Sequence, residues 1–582
     1  MNKKQKILKE MAAETTTDKA PADNDTLANR TLPSVLQSSE KQAEPEQKKD
    51  APADFETAME VSGFGTFNIL LLICACPAAI ATVAETSTMS FILPSAECDL
   101  KLTLLHKGLL NAITYAGMIS SAVMWGYLAD TKGRKKLLIL GYLSNLIPGL
   151  GAVSSQNVIQ LMIFKYIAGF IMCGPFAILM SYLTELHGKK FRSRIVMLMG
   201  LMFSVGNILL PIIALTVLPK HWDFELLGLQ FHSWQVFLAI TMIPSLLGGI
   251  LLNFFPESPK FLMSQGRNTE AMRAFQRIYA LNHWKPREDF PIKELMNELP
   301  SAEKESDAST VSIATIESSI PKEKEAMPSN EHVKEKKPKI NLRQGWEQLR
   351  PLLSKPYLGL SARVYLMNFA ILFGQNTLRL WIPQMFASIE EYEQMHGSAG
   401  SSMCTILEYS VNKTQLLKSD FADLETAKCE VVITAASFTN NITVAVASFV
   451  GYFLAGFIVN RIGSRIMLTI GATAAGLCGV GLYFSVSSLS TSIIAAISVT
   501  MGSISAMSIL SSSVDLFPTS LRTMVVSLTM MIGRVGSIMG NILFPIFMSL
   551  GCVPPFIMLT FVMWSAAIMS AFLPNTRKMV MK

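Results

Sequence analysis

Twelve apolar runs, each about 20 residues long, divide this 582-residue chain. A helix rises about 1.5 Å per residue, so a run of that length matches the hydrocarbon thickness of a bilayer. The runs lie near 66–93, 108–128, 137–156, 159–183, 195–217, 235–255, 362–386, 431–458, 466–486, 491–513, 524–549 and 553–573. They fall as six, a break of about a hundred mostly polar residues, and six more. Charged residues make up 16% of the chain, against about 25% in soluble domains, and mean hydropathy is +0.37. These features exclude an ordinary soluble enzyme and a chain disordered throughout. The expectation is an all-α membrane protein with twelve transmembrane helices.

The distribution of charge orients the helices. Residues 1–60 and 287–340 each hold 9 Lys/Arg against 12 Asp/Glu, so the net +7 of the chain conceals +13 in the remaining body. That excess clusters at helix ends, with no stripe of interleaved aromatics, so nucleic acid is not an expected partner. The loop after span 2 carries Lys132, Arg134, Lys135 and Lys136, and the loop after span 4 carries Lys189, Lys190, Arg192 and Arg194. Arg461 and Arg465 follow span 8, and Arg522 follows span 10. Basic residues mark cytoplasmic loops, which puts both termini and the central loop in the cytoplasm. The first apolar run begins near Thr66, so no cleaved leader is expected and span 1 serves as an uncleaved anchor.

Segment 388–430, on the other side, carries three Lys against eight Asp/Glu. It holds the glycosylation triplet Asn412-Lys413-Thr414 between Cys404 and Cys429, features of an extracellular or lumenal face. Cys98 and Cys552 fall on the same side; Cys404–Cys429 is the preferred disulfide among these alternatives.

An internal repeat is legible without any comparison. Gly126-Tyr-Leu-Ala-Asp130-Thr-Lys-Gly133-Arg134-Lys135 ends span 2, and Gly456-Phe-Ile-Val-Asn460-Arg461-Ile-Gly463-Ser464-Arg465 ends span 8, 330 residues later. Glu185 and Arg192 after span 4 recur as Asp515 and Arg522 at the same offset. Two unlinked polar patterns at one offset imply two homologous six-helix bundles, an arrangement that places a solute site between the halves. Gly126 and Gly456 would allow a neighbouring backbone to approach, Gly133 and Gly463 a tight turn. Asp130 would pair with a cation or a helix N-terminus, and the basic cluster with acids such as Glu185. These groups either anchor the loop or act as a cytoplasmic gate whose bonds are made in one state and broken in another.

At these residues the chain resembles the major facilitator superfamily, whose G-x-x-x-D-[RK]-x-G-[RK]-[RK] motif it shows twice. Pro256-Glu257-Ser258-Pro259-Lys260-Phe261-Leu262 after span 6 is similar to the motif shared by sugar and organic-ion transporters. Ser90-Phe-Ile-Leu-Pro-Ser-Ala-Glu97, Lys107-Gly-Leu-Leu, Trp125-Gly-Tyr-Leu-Ala-Asp130 and His232-Ser-Trp-Gln-Val-Phe237 resemble the synaptic vesicle glycoprotein branch. The resemblance implies the major facilitator fold, two pseudo-symmetric six-helix bundles. Three positions depart from the pattern: Thr82 stands where the branch carries an Asp, Asn460 replaces an acid of the second gate motif, and Asn575 stands where a Glu is usual.

The expected organisation is a disordered cytoplasmic tail over 1–60, bundles over 61–258 and 358–574, and a short cytoplasmic tail over 575–582. Between the bundles, a cytoplasmic loop over 259–357 would carry amphipathic helices at 269–282 and 343–353 and a disordered stretch at 300–340.

Charges inside a bilayer cost roughly 2.5–3.5 kcal/mol on insertion scales, so they face a cavity or a partner. Glu85 in span 1 is either a pathway residue or half of an ion pair. Lys165 in span 4 and Arg379 in span 7 line a cavity or snorkel to the interface. Arg534 in span 11 faces a cavity, and the resembled branch also has a basic residue there. Tyr115 and Asn376 are polar liners or satisfied core residues. Three bases stand against one acid, and if most of them face the cavity it favours anionic or zwitterionic organic substrates.

No phosphate-binding loop, metal-ligand cluster or nucleophile constellation appears, so an enzyme or ATP-driven pump is not expected, nor a cofactor or metal. The sequence reads as a secondary transporter of small organic solutes, with a coupling ion and the lipid bilayer as further partners. The alternative is a transport-inactive synaptic vesicle glycoprotein-like binding or trafficking protein. A monomer in the plasma membrane or an intracellular vesicle membrane is expected.

Overall fold

The computed structural model describes residues 52–220, 222–226, 228–296, 350–397, 401–420, 435–518 and 521–574. Twelve helical spans are present among them. The first six are Thr66–Ser95, Leu104–Lys132, Arg134–Ser144 with Leu146–Val153, Val158–Glu185, Lys189–Val217, and Ser233–Thr241 with Ile243–Leu252. The second six are Leu358–His396, Ala435–Ile462, Ser464–Tyr483, Ser488–Leu516, Arg522–Ser549 and Val553–Ala571. Spans 3 and 6 each break once, at Asn145 and Met242, with Pro148 and Pro244 close behind, where a missing N–H interrupts the hydrogen-bond ladder. Ten spans are long and apolar enough to cross a membrane by length and composition alone. Spans 2 and 7 are more polar and pack among the others, span 2 on spans 4 and 11 and span 7 on spans 10, 11 and 12.

The 330-residue repeat holds at the level of backbone angles. Gly133 opens span 3 at φ 96°, ψ 153°, and Gly463 opens span 9 at φ 97°, ψ 150°. That region of backbone space favours glycine, which explains the residue at both turns. Span 4 is capped by Asn157, whose side chain accepts from the Gln160 N–H, and span 10 by Ser487, which accepts from the Ser490 N–H. Gly141 packs on Pro175 between spans 3 and 4, while Gly471 packs on Ser505 between spans 9 and 10, again 330 residues on. The structure is an all-α membrane protein of twelve transmembrane helices in two pseudo-symmetric six-helix bundles.

Three expectations about the connecting segments need correction. The described end of the segment expected to be disordered is ordered: Phe55–Ser62 is a helix capped by Asp54, which accepts from the Thr57 N–H at 3.0 Å. Phe55, Ala58 and Met59 stand at helical spacing and bury against the amphipathic helix Asn268–His283, where Phe55 meets Phe275. Segment 388–430 is not a plain loop: span 7 runs on to His396, and a further helix covers Met403–Asp420. The preferred disulfide is overturned as well. Cys404 bonds to Cys552, with Cα atoms 5.2 Å apart. The Met403 N–H bonds to the Ser485 carbonyl at 2.9 Å, which ties the short helix to the turn between spans 9 and 10, and neither this contact nor the one to Cys552 is visible in the spacing. Cys98 is also disulfide-bonded, and Cys429 lies outside the described residues.

The helix expected at 269–282 is present as Asn268–His283. Of the one expected at 343–353, the described part is a short 3-10 turn, Arg350–Leu353. The stretches 1–51, 297–349 and 575–582 lie outside the described residues.

Candidate functional site

A cavity of about 330 Å³ lies on the seam between the halves, lined by spans 1, 2, 4 and 5 from one and spans 7, 8, 10 and 11 from the other. Its wall is rich in hydroxyl and amide groups, among them Thr86, Ser87, Asn207, Gln375, Asn441 and Ser503, with Tyr115, Phe176, Phe203 and Tyr452 as aromatic surfaces. Among the described residues two charged side chains line it, Arg379 and Arg534, and no Asp or Glu does.

Four of the six expected pathway residues meet here: Tyr115, Asn376, Arg379 and Arg534. Arg379 donates through Nη1 to Ser87 Oγ at 2.7 Å and Asn207 Oδ1 at 3.3 Å, and through Nη2 to the Tyr115 hydroxyl at 3.2 Å. It therefore reaches from span 7 across the seam and does not snorkel. Asn376 donates to Ser537 Oγ at 2.7 Å, so it is a liner and a satisfied packing group at once. Arg534 donates to the Cys173 sulfur at 3.2 Å. Sulfur is a weak acceptor, leaving this guanidinium with little compensation for its place inside the bundle.

Glu85 and Lys165 do not line the cavity. They form an ion pair with each other, both side chains largely buried, and the Asn145 amide donates to the second Glu85 oxygen at 3.2 Å. A charge in a low-dielectric bundle is held most economically by an opposite charge, so these two neutralise one another and leave the cavity its cationic balance.

The end bearing the Gly133 and Gly463 turns carries the expected gate residues. Glu185 accepts from Ser258 Oγ at 2.5 Å and faces Arg134 Nε at 3.5 Å, so the expected pairing of the basic cluster with Glu185 is present. Arg192 is held by Glu56 through two bonds of 2.8 and 3.1 Å and donates to the Thr184 carbonyl at 3.1 Å. Glu257 accepts from the backbone N–H groups of Arg134 and Lys135 at 2.9 and 2.8 Å, a carboxylate at a helix N-terminus. Arg461 is exposed on the last turn of span 8. The side chains of Asp130, Asp515 and Arg522 are not among those described.

The expected close approach at Gly126 and Gly456 is absent in this conformation. A Cβ added at Gly126 would meet nothing within 4 Å, and one at Gly456 only the Met197 sulfur at 4.0 Å. At the opposite end, a Cβ on Gly108 of span 2 would lie 2.5 Å from the Asn541 carbonyl oxygen of span 11. The seam is thus packed at the Gly108 end and looser around Gly126.

Sequence reasoning missed Ser87, Asn207, Cys173 and Glu56. Neutral groups within apolar runs carry no charge signal, and Glu56 sits in a segment whose composition reads as disordered. Glu257 lay in a quoted motif, but nothing in its spacing pointed to the start of span 3.

The model of the family described as "Sugar (and other) transporter" matches residues 61–321. The chain is 30% identical to synaptic vesicle glycoprotein 2B of Rattus norvegicus over 247 residues, 41% of this chain and 35% of that protein. It is 28% identical to rat synaptic vesicle glycoprotein 2A over 237 residues, 40% of this chain and 32% of that protein. The chain thus matches about a third of the length of these relatives. Among solved structures, it resembles the partially occluded inward open conformation of the xylose transporter XylE from E. coli, with TM-score 0.58, 15% identity, and coverage of 88% of this chain and 99% of that one. A crystal structure of the D-xylose-proton symporter is similar at TM-score 0.57 and 14% identity, covering 88% of this chain and 99% of that one. The chain is thus similar to the sugar (and other) transporter family over residues 61–321, and its fold matches that of the xylose transporter.

Proposed function

We propose that the chain is a secondary transporter that carries small organic anions by alternating access. The observation behind this reading is the seam cavity with two arginines and, among the described residues, no carboxylate in its wall. A carboxylate or similar group gives a guanidinium charge-assisted, two-pronged hydrogen bonds, which neither the Cys173 sulfur nor neutral hydroxyls supply. Arg534 is the primary anion ligand, since its acceptor is the weaker one. Tyr115, Phe176 and Phe203 offer faces to an apolar or aromatic body.

The proposed orientation puts the Gly133 and Gly463 turns in the cytoplasm, together with both termini. Support comes from the basic clusters at that end, and from the exposed Asn412 and the Cys404–Cys552 disulfide on segments at the other. One copy encloses a complete cavity, so a monomer suffices.

The test is uptake by proteoliposomes of radiolabelled benzoate and succinate against tetraethylammonium. The reading expects anion uptake that Arg534→Ala reduces by about tenfold or more, in line with the loss of a buried charge-assisted contact. Uptake of the cation alone would refute the anion reading. Anion binding without movement would favour the transport-inactive alternative.

A further inference from the structure

We propose that Arg379 is a latch that holds the seam closed at the Gly108 end until an anion takes it over; this rests on the reading of the cavity as an anion site. Arg379 belongs to the C-terminal half, yet its three bonds end on Ser87 of span 1, Tyr115 of span 2 and Asn207 of span 5, all in the N-terminal half. One side chain therefore joins a helix of one bundle to three helices of the other.

Its height in the bundle matters. Asn368 bonds to the Thr529 carbonyl and Asn376 to Ser537, so spans 7 and 11 run parallel and in register. Arg379 lies three residues beyond Asn376 and Arg534 three before Ser537, which puts Arg379 about 9 Å nearer the Gly108 end along the helix axes. Around it the seam is tight: the Asn111 amide reaches the Leu380 carbonyl at 3.5 Å, and Gly108 abuts Asn541. Parting the halves at this end must break all three Arg379 bonds.

The chemistry favours exchange of partners. The three acceptors are neutral, and two of the bonds, at 3.2 and 3.3 Å, are long for a guanidinium. A carboxylate arriving in the cavity offers shorter, ionic bonds. Once Arg379 turns to the anion, the N-terminal helices lose their hold on span 7 and the Gly108 end can open. An empty carrier keeps the latch, so occupied carriers open at that end more readily than empty ones.

The test places spin labels at Leu105→Cys and Leu550→Cys, two exposed positions flanking the Gly108 end, in the full chain with free cysteines replaced, and reads the distance distribution by pulsed resonance. Without ligand the wild-type background should give a short distance, and millimolar benzoate should add a longer one. Arg379→Ala, and separately Ser87→Ala with Tyr115→Phe and Asn207→Ala, should raise the ligand-free long-distance population by about tenfold, as expected for losing hydrogen bonds that are each worth a fraction of that. Arg379→Ala should then ignore benzoate. Tyr115→Phe alone removes one hydroxyl with little risk to folding and should give a smaller shift in the same direction. Wild-type distributions in all these variants overturn the latch. Longer distances in the variants with no benzoate response in wild type overturn release by an anion. Absence of both benzoate binding and benzoate uptake sinks the anion-site reading of the cavity, while the ligand-free distances of the variants still decide whether Arg379 ties the halves together.

Discussion

Replacing Glu85 by Gln should destabilise the protein more than replacing Glu85 and Lys165 together. The two charges face each other inside the bundle, the Lys165 side chain about 5% and the Glu85 side chain about 10% exposed. Glu85→Gln leaves a buried ammonium with an amide for a partner, a loss of about 3–5 kcal/mol by analogy with broken buried pairs. Taking about 2.1 cal/mol/K of unfolding entropy per residue over 582 residues, that is a fall in Tm of about 2.5–4 °C. Glu85→Gln with Lys165→Met removes both charges and should recover most of the loss, since a neutralised pair carries little net stabilisation. The assay is thermal unfolding of purified protein in detergent, run on wild type, both single variants and the double variant as one cycle. A Glu85→Gln protein as stable as wild type, or a double variant less stable than either single one, would falsify the ion-pair account and return Glu85 to the pathway.

Other consequences follow from particular contacts. Gly108→Val places a side chain where the Asn541 carbonyl now sits 2.5 Å from the Cβ position, so the Gly108 end should be held apart; faster reaction of a cavity thiol with an impermeant reagent from that face checks this. Glu56→Ala removes an ion pair whose side chains are 27% and 41% exposed, and should cost under about 1 kcal/mol, whereas Phe55→Ala empties a buried site at about 3 kcal/mol. Protease should therefore cut near residue 55 much faster in Phe55→Ala than in Glu56→Ala, and equal rates would contradict the packing of this helix. His187, between spans 4 and 5, is buried and its pKa is pushed down to about 4 from 6.5. A depressed folded-state value means the neutral ring contributes full stability above pH 6.5, and this is lost as pH falls from 6.5 towards 4. His187→Gln should flatten the Tm–pH curve in that window; an unchanged slope would show that the ring does not titrate with folding.

Helix count, halves and repeat were legible because a bilayer imposes a length and a polarity on every span, and those leave a mark in composition. The 330-residue offset reappears in φ and ψ at Gly133 and Gly463, since only a glycine accepts that turn cheaply. Arg379 and Arg534 were legible for the same reason: a charge amid apolar residues is conspicuous. What they touch was not. Ser87, Asn207 and Cys173 are neutral residues in apolar runs, and their importance comes from facing an arginine on a helix more than a hundred residues away. Glu85 and Lys165 carried the same charge signal as the arginines, and only packing shows that they cancel each other. The Cys404–Cys552 bond and the helix at Phe55 depend on tertiary docking, which local spacing does not encode.

Alternating access requires a cavity that communicates with each side of the membrane in turn. Its most direct test is the reaction of a Thr86→Cys reporter, in a background with Cys74, Cys76, Cys173 and Cys478 replaced by Ser, with an impermeant thiol reagent applied to one face or the other of oriented vesicles. Reaction is expected from both faces, although the present conformation is packed at the Gly108 end, with the rate from that face the slower one. Reaction confined to a single face would contradict alternating access.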